Sequence, residues 1–448
     1  MKKFFKIIAV IILSLLIFFV GIFKYRQYRA NQVLIPRNAT SVLKVSTDEI
    51  LRSLAANMIA NPRFYLKSDD QPKPTVVQNK LASGLRIPAS LYLFTMENQS
   101  TNAIFTRFDV KSKNNFETFI QQTLKFKILK QQNGMSFASS SLGNVVICYN
   151  TEAAAIVFSG EIKNFDSILI NLLKQENFLK LSKSKFNTLK ASSHHIAYSD
   201  TKNRFNIDFI TGAFNFDAEF STEAVVPAAE PKHRIFNKES TASFWLNADF
   251  PTTENKTYRF KNAIIERDSL LKYYKGYLDF EWTNSTSQTD SIITYEYNDD
   301  FEKVEKITLQ KKEVPNFTLN IAADANGLKS YLNLQGIINL DSGTVNKSVF
   351  PLYKAFISGN SQQLLLGTNK DLEVDTKKEG SKDFLFLDVN FKKLNTQLNV
   401  PGINRFLKSF DRLSIKGKAV NAHQVRLDGR VTLINEDINS LYQLLKDF

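Results

Sequence analysis

Two short segments of the sequence have the serine–lysine spacing of a nucleophile and its base: Ser182–Lys185 and Ser269–Lys272. In β-lactamase-type enzymes such an S-x-x-K segment supplies the serine nucleophile, and S-D-N and K-T-G segments further along the chain complete the site. This sequence contains neither of those additional segments, and it contains no G-x-S-x-G nucleophile elbow. We therefore predict no catalytic residues from these serines.

The candidate metal ligands are four histidines and a single cysteine: His194, His195, His233, His423 and Cys148. Adjacent residues of a strand point to opposite faces, so His194 and His195 would form a poor chelating pair there. No histidine has a second histidine at the spacing typical of a zinc site, and the cysteine is isolated from all of them. The sequence therefore predicts solvated or partly buried histidines and no metal site.

The acidic pairs and the glycine pattern of the sequence do not indicate an acid/base pair or a nucleotide site. Asp69-Asp70 and Asp299-Asp300 fall between hydrophobic runs, where aspartates are usually turn residues and not an acid/base pair. The chain has neither a P-loop nor a G-x-G-x-x-G segment, and Asn369-Lys370-Asp371 lacks the spacing of a guanine-recognition motif. We therefore expect no cofactor and no nucleotide.

The elements that would hold any site are mainly strands with a period of two. Phe214, Phe216, Ala218 and Phe220 alternate with polar residues, and Thr211-Gly212 predicts a turn before them. Such alternation indicates a strand with one buried and one solvated face, which is typical of antiparallel sheets. Apolar residues with helical spacing are less frequent than the strand pattern; one such segment predicts a helix at 116–126.

We predict an α+β fold with an N-terminal transmembrane helix and two mainly antiparallel lobes that carry peripheral helices. The predicted divisions are an anchor at 1–29, a first lobe at 30–220, a Pro/Ala-containing linker at 221–240 and a second lobe at 241–448. Ile35-Pro36 and Val314-Pro315 each precede a strand and a helix. This similarity suggests that the two lobes are duplicated.

The predicted anchor is an uncharged apolar run from Ile7 to Phe23. A helix of that length covers about 26 Å, close to the roughly 30 Å hydrocarbon core of a bilayer. A cleaved signal peptide is the alternative, but the basic segment at 24–29 offers no small-residue cleavage site. Basic residues flank both ends of the apolar run almost equally, so their distribution does not set the orientation. A short N-terminal tail before such a segment usually stays in the cytoplasm. We expect a single-pass protein with a cytoplasmic N-terminus and an extracytoplasmic, periplasmic C-terminal body.

The net charge of +14 is the feature that most suggests a nucleic acid partner. Six of these charges flank the apolar run, which leaves +8 for the rest of the chain: Lys2, Lys3, Lys6, Lys24, Arg26 and Arg29. Spread over such a length, this excess predicts solubility and not a nucleic acid groove. The Lys/Ser-rich segment at 177–190 is better explained as a solvated face than as a lipid headgroup site.

Three segments resemble bacterial envelope proteins of unknown function that are membrane-anchored or secreted: the apolar N-terminus with Ile35-Pro36-x-Asn38-Ala39, the run Tyr277–Trp282, and the closing run Asn439–Leu445. The resemblance follows most of the chain in order. It implies an extracytoplasmic body and supplies no catalytic residues.

Three functions are consistent with these observations. The first is a non-enzymatic, membrane-anchored envelope protein whose lobes bind or scaffold another envelope component. The second is a lipid-binding or lipid-transfer protein with an open apolar sheet, suggested by strands such as Phe384–Leu387 that are apolar at every position. The third is a hydrolase whose site is assembled from residues distant in sequence.

Overall fold

Antiparallel strands make up most of this protein, because aromatic and β-branched residues recur with a period of two along the chain. Strands account for 48% and helices for 22% of the computed structural model. The structure describes residues 21, 24–30, 32–66, 83–222, 225–251, 256–260, 263–297, 301–373, 377–397, 407–421 and 423–447. Within these ranges, no helix combines the length and the apolar character that crossing a bilayer requires.

The chain divides into two compact units. Unit 1 contains Met1–Ala218 together with Asp437–Leu445, and unit 2 contains Glu219–Glu436 together with Lys446–Phe448. Residues 221–240, which their composition suggested to be a linker, include two short strands of unit 2 that pair with Ala242–Asp249 and Lys378–Gly380.

Unit 1 is built on an antiparallel sheet with the strand order β12-β11-β2-β4-β5-β9-β8-β7-β6. Its elements are β1 Leu34–Pro36, β2 Ala39–Val45, α1 Thr47–Ala60, α2 Pro62–Leu66, β3 Leu85–Arg86, β4 Leu91–Met96, β5 Ala103–Val110, α3 Lys113–Thr118 with a π-helical turn Phe119–Thr123, β6 Lys127–Gln132, β7 Met135–Ser139, β8 Val145–Tyr149, β9 Ala153–Ser159, α4 Asp166–Lys174, β10 Phe178–Lys180 with a 3₁₀ turn Leu181–Lys183, α5 Thr188–Ala191, β11 Ile196–Ser199, β12 Arg204–Ile210 and β13 Ala213–Ser221, which runs on into unit 2.

Both faces of the unit 1 sheet are covered. Along β9, Ala155 and Val157 contribute to one buried cluster, whereas Ala154 and Ile156 contribute to another. The first cluster includes Leu169 and Leu172 of α4, and the second includes Phe116 of α3. A strand that is buried on both faces explains why β9 is apolar at nearly every position.

The elements of unit 2 are β14 Val226–Pro227, β15 Lys232–Arg234, β16 Ala242–Asp249, β17 Thr257–Phe260, β18 Ala263–Glu266, α6 Arg267–Tyr273, β19 Tyr274–Tyr297, β20 Lys303–Ala323, α7 Ala325–Leu334, β21 Ile338–Asn339, β22 Thr344–Val345, β23 Phe356–Gly359, β24 Gln363–Gly367, β25 Lys378–Gly380, β26 Leu385–Asn390, α8 Phe391–Gln397, β27 Phe410–Asn421 and β28 Gln424–Leu433. The unit is built on an antiparallel sheet with the strand order β24-β20-β19-β16-β26-β27-β28. The last helix, α9 Ser440–Asp447, lies mainly in unit 1, which contains Asp437–Leu445.

The longest elements of unit 2 are β19, with 24 residues, and β20, with 21 residues. They form one hairpin whose strands pair from Tyr274↔Ala323 to Tyr297↔Lys303, with register shifts between Tyr274 and Leu278 and between Trp282 and Ser285. Pro315 pairs with Ser285 inside this ladder, next to the second shift. An irregular position of this kind accommodates a proline, which has no N–H to donate.

The predicted α+β fold class is wrong, because the chain is mostly sheet. The segment at 283–290 has the polar composition typical of a turn, but it continues β19. Pro36 ends β1 whereas Pro315 lies inside β20, so the two Pro-containing segments are not equivalent. Of the segment proposed as the anchor, residues 7–23, only Gly21 lies among the described residues.

Candidate functional site

The central strands of unit 2 separate polar from apolar side chains. Along the run Tyr277–Trp282, Asp279 and Glu281 point to one face, and Leu278 and Phe280 point to the other. Residues opposite each other in the ladder share a face, so the polar face also carries Asn320. The apolar face continues across the sheet through the pairs Phe244↔Phe280, Phe244↔Leu387, Phe280↔Leu319, Trp282↔Phe317 and Leu387↔Ile415.

Arg234 of β15 reaches into the polar face and holds its two acids. The Arg234 guanidinium lies 3.1 Å from an oxygen of Asp279 and 2.8 Å from an oxygen of Glu281. Asp279 is fully buried, and it accepts a further hydrogen bond of 2.9 Å from the side-chain amide of Asn320. Burial opposes the charge of Arg234, but the two carboxylates outweigh it and raise the pKa of Arg234. The cluster is therefore a paired, buried ion network.

A two-stranded strap crosses this face. It consists of β15 and β25, in which His233 pairs with Glu379. Lys378 of the strap lies 3.8 Å from the ring centre of Tyr277, and burial lowers the pKa of this lysine. The backbone N–H of Arg234 donates to the Tyr277 hydroxyl over 3.1 Å. These contacts fix the strap above β16 and β19.

Two cavities open on this face, one over each half of the sheet. The cavity over β19, β20 and β24 has a volume of about 170 Å³ and is lined mainly by polar groups, among them Glu281 and Asn320. Asn320 Oδ1 is buried, and among the described residues it accepts no hydrogen bond. The cavity over β16, β26 and β27 has a volume of about 360 Å³, and Trp245, Phe386 and Lys416 line it. We call the larger one the aromatic cavity.

The outer part of the β19–β20 hairpin forms a ribbon, which we define as residues 285–297 and 303–315. In the described part of the chain, the strands of the ribbon pair only with each other, because β16 pairs with 277–282 and β24 with 318–322. Gln288 anchors its base through hydrogen bonds of 2.8 Å and 2.7 Å to the carbonyl oxygens of Lys354 and Thr368. Every residue from Phe301 to Glu313 is exposed.

One face of the ribbon carries an apolar stripe. Ile293 lies directly opposite Ile307, and Leu309 follows Ile307 on the same face. The exposed fractions of these side chains are 55%, 72% and 73%, in that order. Tyr295 extends the stripe, and Lys303 lies 4.2 Å from the centre of its ring. We call the opposite face, on which Lys306 pairs with Glu296 over 2.7 Å, the charged face.

The hairpin that contains the ribbon is acidic, in contrast to the chain as a whole. The ribbon has four acidic residues and four lysines, and residues 298–302 between its strands add three acids. The segment 285–315 therefore has a net charge of −3 in a chain of net charge +14. Exposed strand edges next to an exposed apolar stripe are unusual in a solitary protein, because they invite pairing with another chain. The ribbon is thus the strongest candidate interaction surface of unit 2.

The serines and the cysteine considered from sequence do not form a catalytic group. Ser269 lies in α6 and donates to Glu266 over 3.1 Å, whereas Lys272 lies 5.7 Å from the ring centre of Tyr273. Ser182 lies in the 3₁₀ turn after β10. Cys148 is fully buried in β8, and burial raises the pKa of its thiol to about 12.

The histidines occupy separate environments. The Nδ1 atom of His194 lies 2.6 Å from Asp208, whereas His195 is buried and its Nδ1 accepts a hydrogen bond of 2.8 Å from the backbone N–H of Phe209. His423 is exposed near the start of β28. His233 lies at the aromatic cavity. No group of three or more His, Cys, Asp or Glu side chains suited to a metal ion occurs in the described ranges.

Of the acidic and amide segments considered, Asn369-Lys370-Asp371 forms part of a loop, and Asn369 and Asp371 line the smaller cavity. The pairs Asp69-Asp70 and Asp299-Asp300 lie outside the described residues. Neither Arg234 nor the apolar stripe of the ribbon is among the residues predicted from the sequence. The spacing of two between Ile293 and Tyr295, and between Ile307 and Leu309, is a signal for an apolar stripe. Nothing in the sequence near Arg234 marks it as a functional residue.

No family model matches this chain, and no curated protein matches it either. Solved structures that are similar to it include crystal forms IV, I and III of TP0453, with sequence identities of 9%, 10% and 8%. The similarity covers 75% of this chain in each case and 92%, 90% and 90% of TP0453, with TM-scores of 0.24, 0.23 and 0.24. Similarity of this size carries no argument about fold or function.

Proposed function

We propose that this chain is a non-enzymatic binding protein of the cell envelope that docks another envelope protein on its ribbon. The observation that supports this proposal is the apolar stripe of Ile293, Ile307 and Leu309, more than half exposed on a ribbon with unpaired strand edges. Membrane attachment through the apolar segment at 7–23, with the body outside the cytoplasm, belongs to the same proposal and is supported by the sequence alone.

Charge favours a protein over an anionic bilayer as the partner. The net charge of −3 on residues 285–315 would be repelled by the negative surface of a membrane rich in anionic lipids. The same charge would attract a protein surface with lysines or arginines around an apolar centre. The free strand edges add backbone donors and acceptors, so an extended segment of the partner could pair with the ribbon as a further strand.

A lipid-binding function is the second candidate, and the apolar face of the unit 2 sheet supports it. Phe280, Phe317 and Leu319 remain only half-buried on this face. The buried cluster of Leu246, Ala248, Phe384 and Val425 covers the same face further along β16. A large apolar face that keeps contact with solvent is a feature of sites for apolar ligands. It ranks second because its side chains are less exposed than those of the ribbon.

Site-specific photo-crosslinking in the native cells tests the choice between these partners. A benzophenone amino acid replaces Ile307 on the apolar stripe in one variant and Gln310 on the charged face in the matched control. We expect discrete adducts with another protein from position 307, and far weaker adducts from position 310, because a partner seated on the stripe lies within reach of only one face.

The mass of the adduct identifies the class of partner. An adduct with twice the mass of the chain would show that the partner is a second copy of this chain and not another protein. An adduct with lipid alone would show that the ribbon contacts the membrane. Equal adducts from positions 307 and 310, or none from either, would refute docking on the ribbon. A benzophenone at Phe280 reports separately on the lipid candidate, because Phe280 lies on the apolar face of the sheet.

A further inference from the structure

The aromatic cavity has a floor made of stacked rings. His233 and Trp245 are parallel within 9°, with ring centres 5.0 Å apart, and Phe386 stacks on the indole at 6.4 Å. His233 Nδ1 donates to the carbonyl oxygen of Arg234 over 2.8 Å, which fixes the orientation of its ring. Trp245 is only 3% exposed, so the floor is held rigidly by the sheet beneath it.

The rim of the cavity combines apolar surface with positive charge. Ile235 is 52% exposed on this rim, and Lys238 and Lys416 are exposed lysines that also line the cavity. In the described part of the chain neither lysine has an acidic partner within ion-pair distance. Lys416 stands opposite Phe386 in the β26–β27 ladder, so a cation and an aromatic ring share one wall.

The acids of the cavity are already neutralised by other cations. The guanidinium of Arg412 lies 2.8 Å from a carboxylate oxygen of Asp388, and this pairing raises the pKa of Arg412. Asp383 lies 3.8 Å from Lys418, a lysine that does not line the cavity. Lys238 and Lys416 therefore supply the charge that remains available to a ligand.

From this geometry we propose that the aromatic cavity binds a small organic acid with an apolar body. The apolar body packs against Trp245 and Phe386, and the carboxylate is placed between Lys238 and Lys416. The volume of about 360 Å³ falls at the small end of the range typical of small-molecule sites. This site is separate from the ribbon, so its test is independent of the docking proposal.

The test uses the full chain in phosphatidylcholine nanodiscs, with empty nanodiscs as the blank. The substitution Trp282→Phe leaves Trp245 as the single tryptophan, because the chain has only two. Trp245 fluorescence is then titrated with 3-phenylpropanoate, with its neutral amide 3-phenylpropanamide and with inorganic phosphate. We expect a saturable change with the acid, binding of the amide at least about tenfold weaker, and no saturable change with phosphate.

Charge variants in the same background complete the test. Lys238→Gln and Lys416→Gln should each weaken binding of 3-phenylpropanoate by about threefold, the size of a partly exposed ion pair. Lys370→Gln is the matched control, because this exposed lysine lies outside the cavity lining, and it should leave binding unchanged. Circular dichroism confirms that each variant is folded.

Three results would overturn the proposal. They are equal affinities for the acid and the amide, equal affinities for phosphate and the acid, and the absence of any saturable change. A loss with Lys370→Gln as large as that with Lys416→Gln would also overturn it, because the effect would then be one of overall charge.

Discussion

Ile293 and Ile307 face each other across the β19–β20 ladder, and both side chains point into solvent. Their exposed fractions are 55% and 72%. Cross-strand pairs of β-branched residues normally stabilise a sheet by packing on one another and on a core. Here the pair has no core beneath it, so its apolar surface contributes little to the stability of the ribbon and is available to a partner.

The double substitution Ile307→Ser and Leu309→Ser should separate stability from binding. Both residues are about three-quarters exposed, so we expect the free energy of unfolding of unit 2 to change by less than about 0.5 kcal/mol each. The photo-crosslinked adduct, generated from a benzophenone at Tyr295, should disappear. Urea unfolding followed by tryptophan fluorescence measures the free energy of unfolding. Retention of the adduct would show that the stripe is not the contact.

Loss of Arg234 should destabilise unit 2 strongly. Arg234→Met would leave Asp279 fully buried and Glu281 nearly so without their cation, a change that costs about 3–5 kcal/mol. Both tryptophans of the chain lie in unit 2, so urea unfolding followed by their fluorescence reports on this unit.

The control for Arg234 is an exposed ion pair of the same unit. Lys347→Met removes the nearer of two lysine partners of Asp290, at a distance of 3.4 Å, where both side chains are about half exposed or more. This change should cost less than about 1 kcal/mol. Equal costs for the two substitutions would show that the Arg234 network is not what stabilises the polar face.

Asn57 should be needed for the stability of unit 1. It is buried in α1, donates to Thr211 and to the carbonyl oxygen of Asp437 over 3.0 Å each, and accepts from the backbone N–H of Asn439 over 2.8 Å. Asn57→Ala removes these three hydrogen bonds of a buried side chain, which should cost about 2–3 kcal/mol. Hydrogen exchange of the α1 and 437–445 peptides measures the loss.

Asn61→Ala is the matched control for Asn57, because Asn61 makes one bond of 2.9 Å to the same carbonyl oxygen of Asp437. Its effect should be smaller than that of Asn57→Ala. If the two variants exchanged equally fast, the hydrogen bonds of Asn57 would not be limiting for the unit.

His195 should make the stability of unit 1 depend on pH. Burial lowers its pKa below the value of 6.5 that applies in the unfolded chain. The unfolded state therefore takes up a proton first as the pH falls, so the stabilisation is complete above about pH 6.5 and is lost as the pH drops through the folded pKa. His195→Gln should show a smaller fall in the thermal midpoint between about pH 7.5 and pH 5. An equal fall in both proteins would contradict this assignment.

Cys148 should be unreactive in the folded protein. Its thiol is fully buried, and because burial raises its pKa to about 12, almost none of it is thiolate near neutral pH. We expect no reaction with Ellman's reagent in the native state and one thiol per chain in denaturant, since the sequence has one cysteine. Stoichiometric labelling of the native protein would show that β8 opens readily.

Local patterns are sufficient to mark many of the strands. Examples are the strands Ala103–Val110, Val145–Tyr149 and Gln424–Leu433. In each of these segments, apolar and β-branched residues dominate and turn residues lie at the ends, so the information lies within the strand itself. The helix predicted at 116–126 is partly confirmed, because the chain is helical at 113–118 and continues as a π-helical turn to 123.

Local composition indicates the wrong conformation where a partner strand determines the structure. Residues 283–290 are rich in Asn, Ser and Thr, and such residues favour turns when nothing else acts on them. Here the ladder with β20 supplies a backbone hydrogen-bond partner on the other strand, so the segment extends as β19. The resulting ribbon explains why the fold is richer in sheet than the expected α+β arrangement.

The sequence by itself determined which residues alternate, where most strands lie and which recognised catalytic motifs are missing, because these properties depend on neighbours in the chain. Only the tertiary structure decided that Arg234 meets Asp279 and Glu281, more than forty positions away, and that Trp245 lies between His233 and Phe386. It also decided that Ile293 and Ile307 face solvent and not a core. Strand pairing sets such contacts, and the register that selects them is a property of two segments at once, which no single segment encodes.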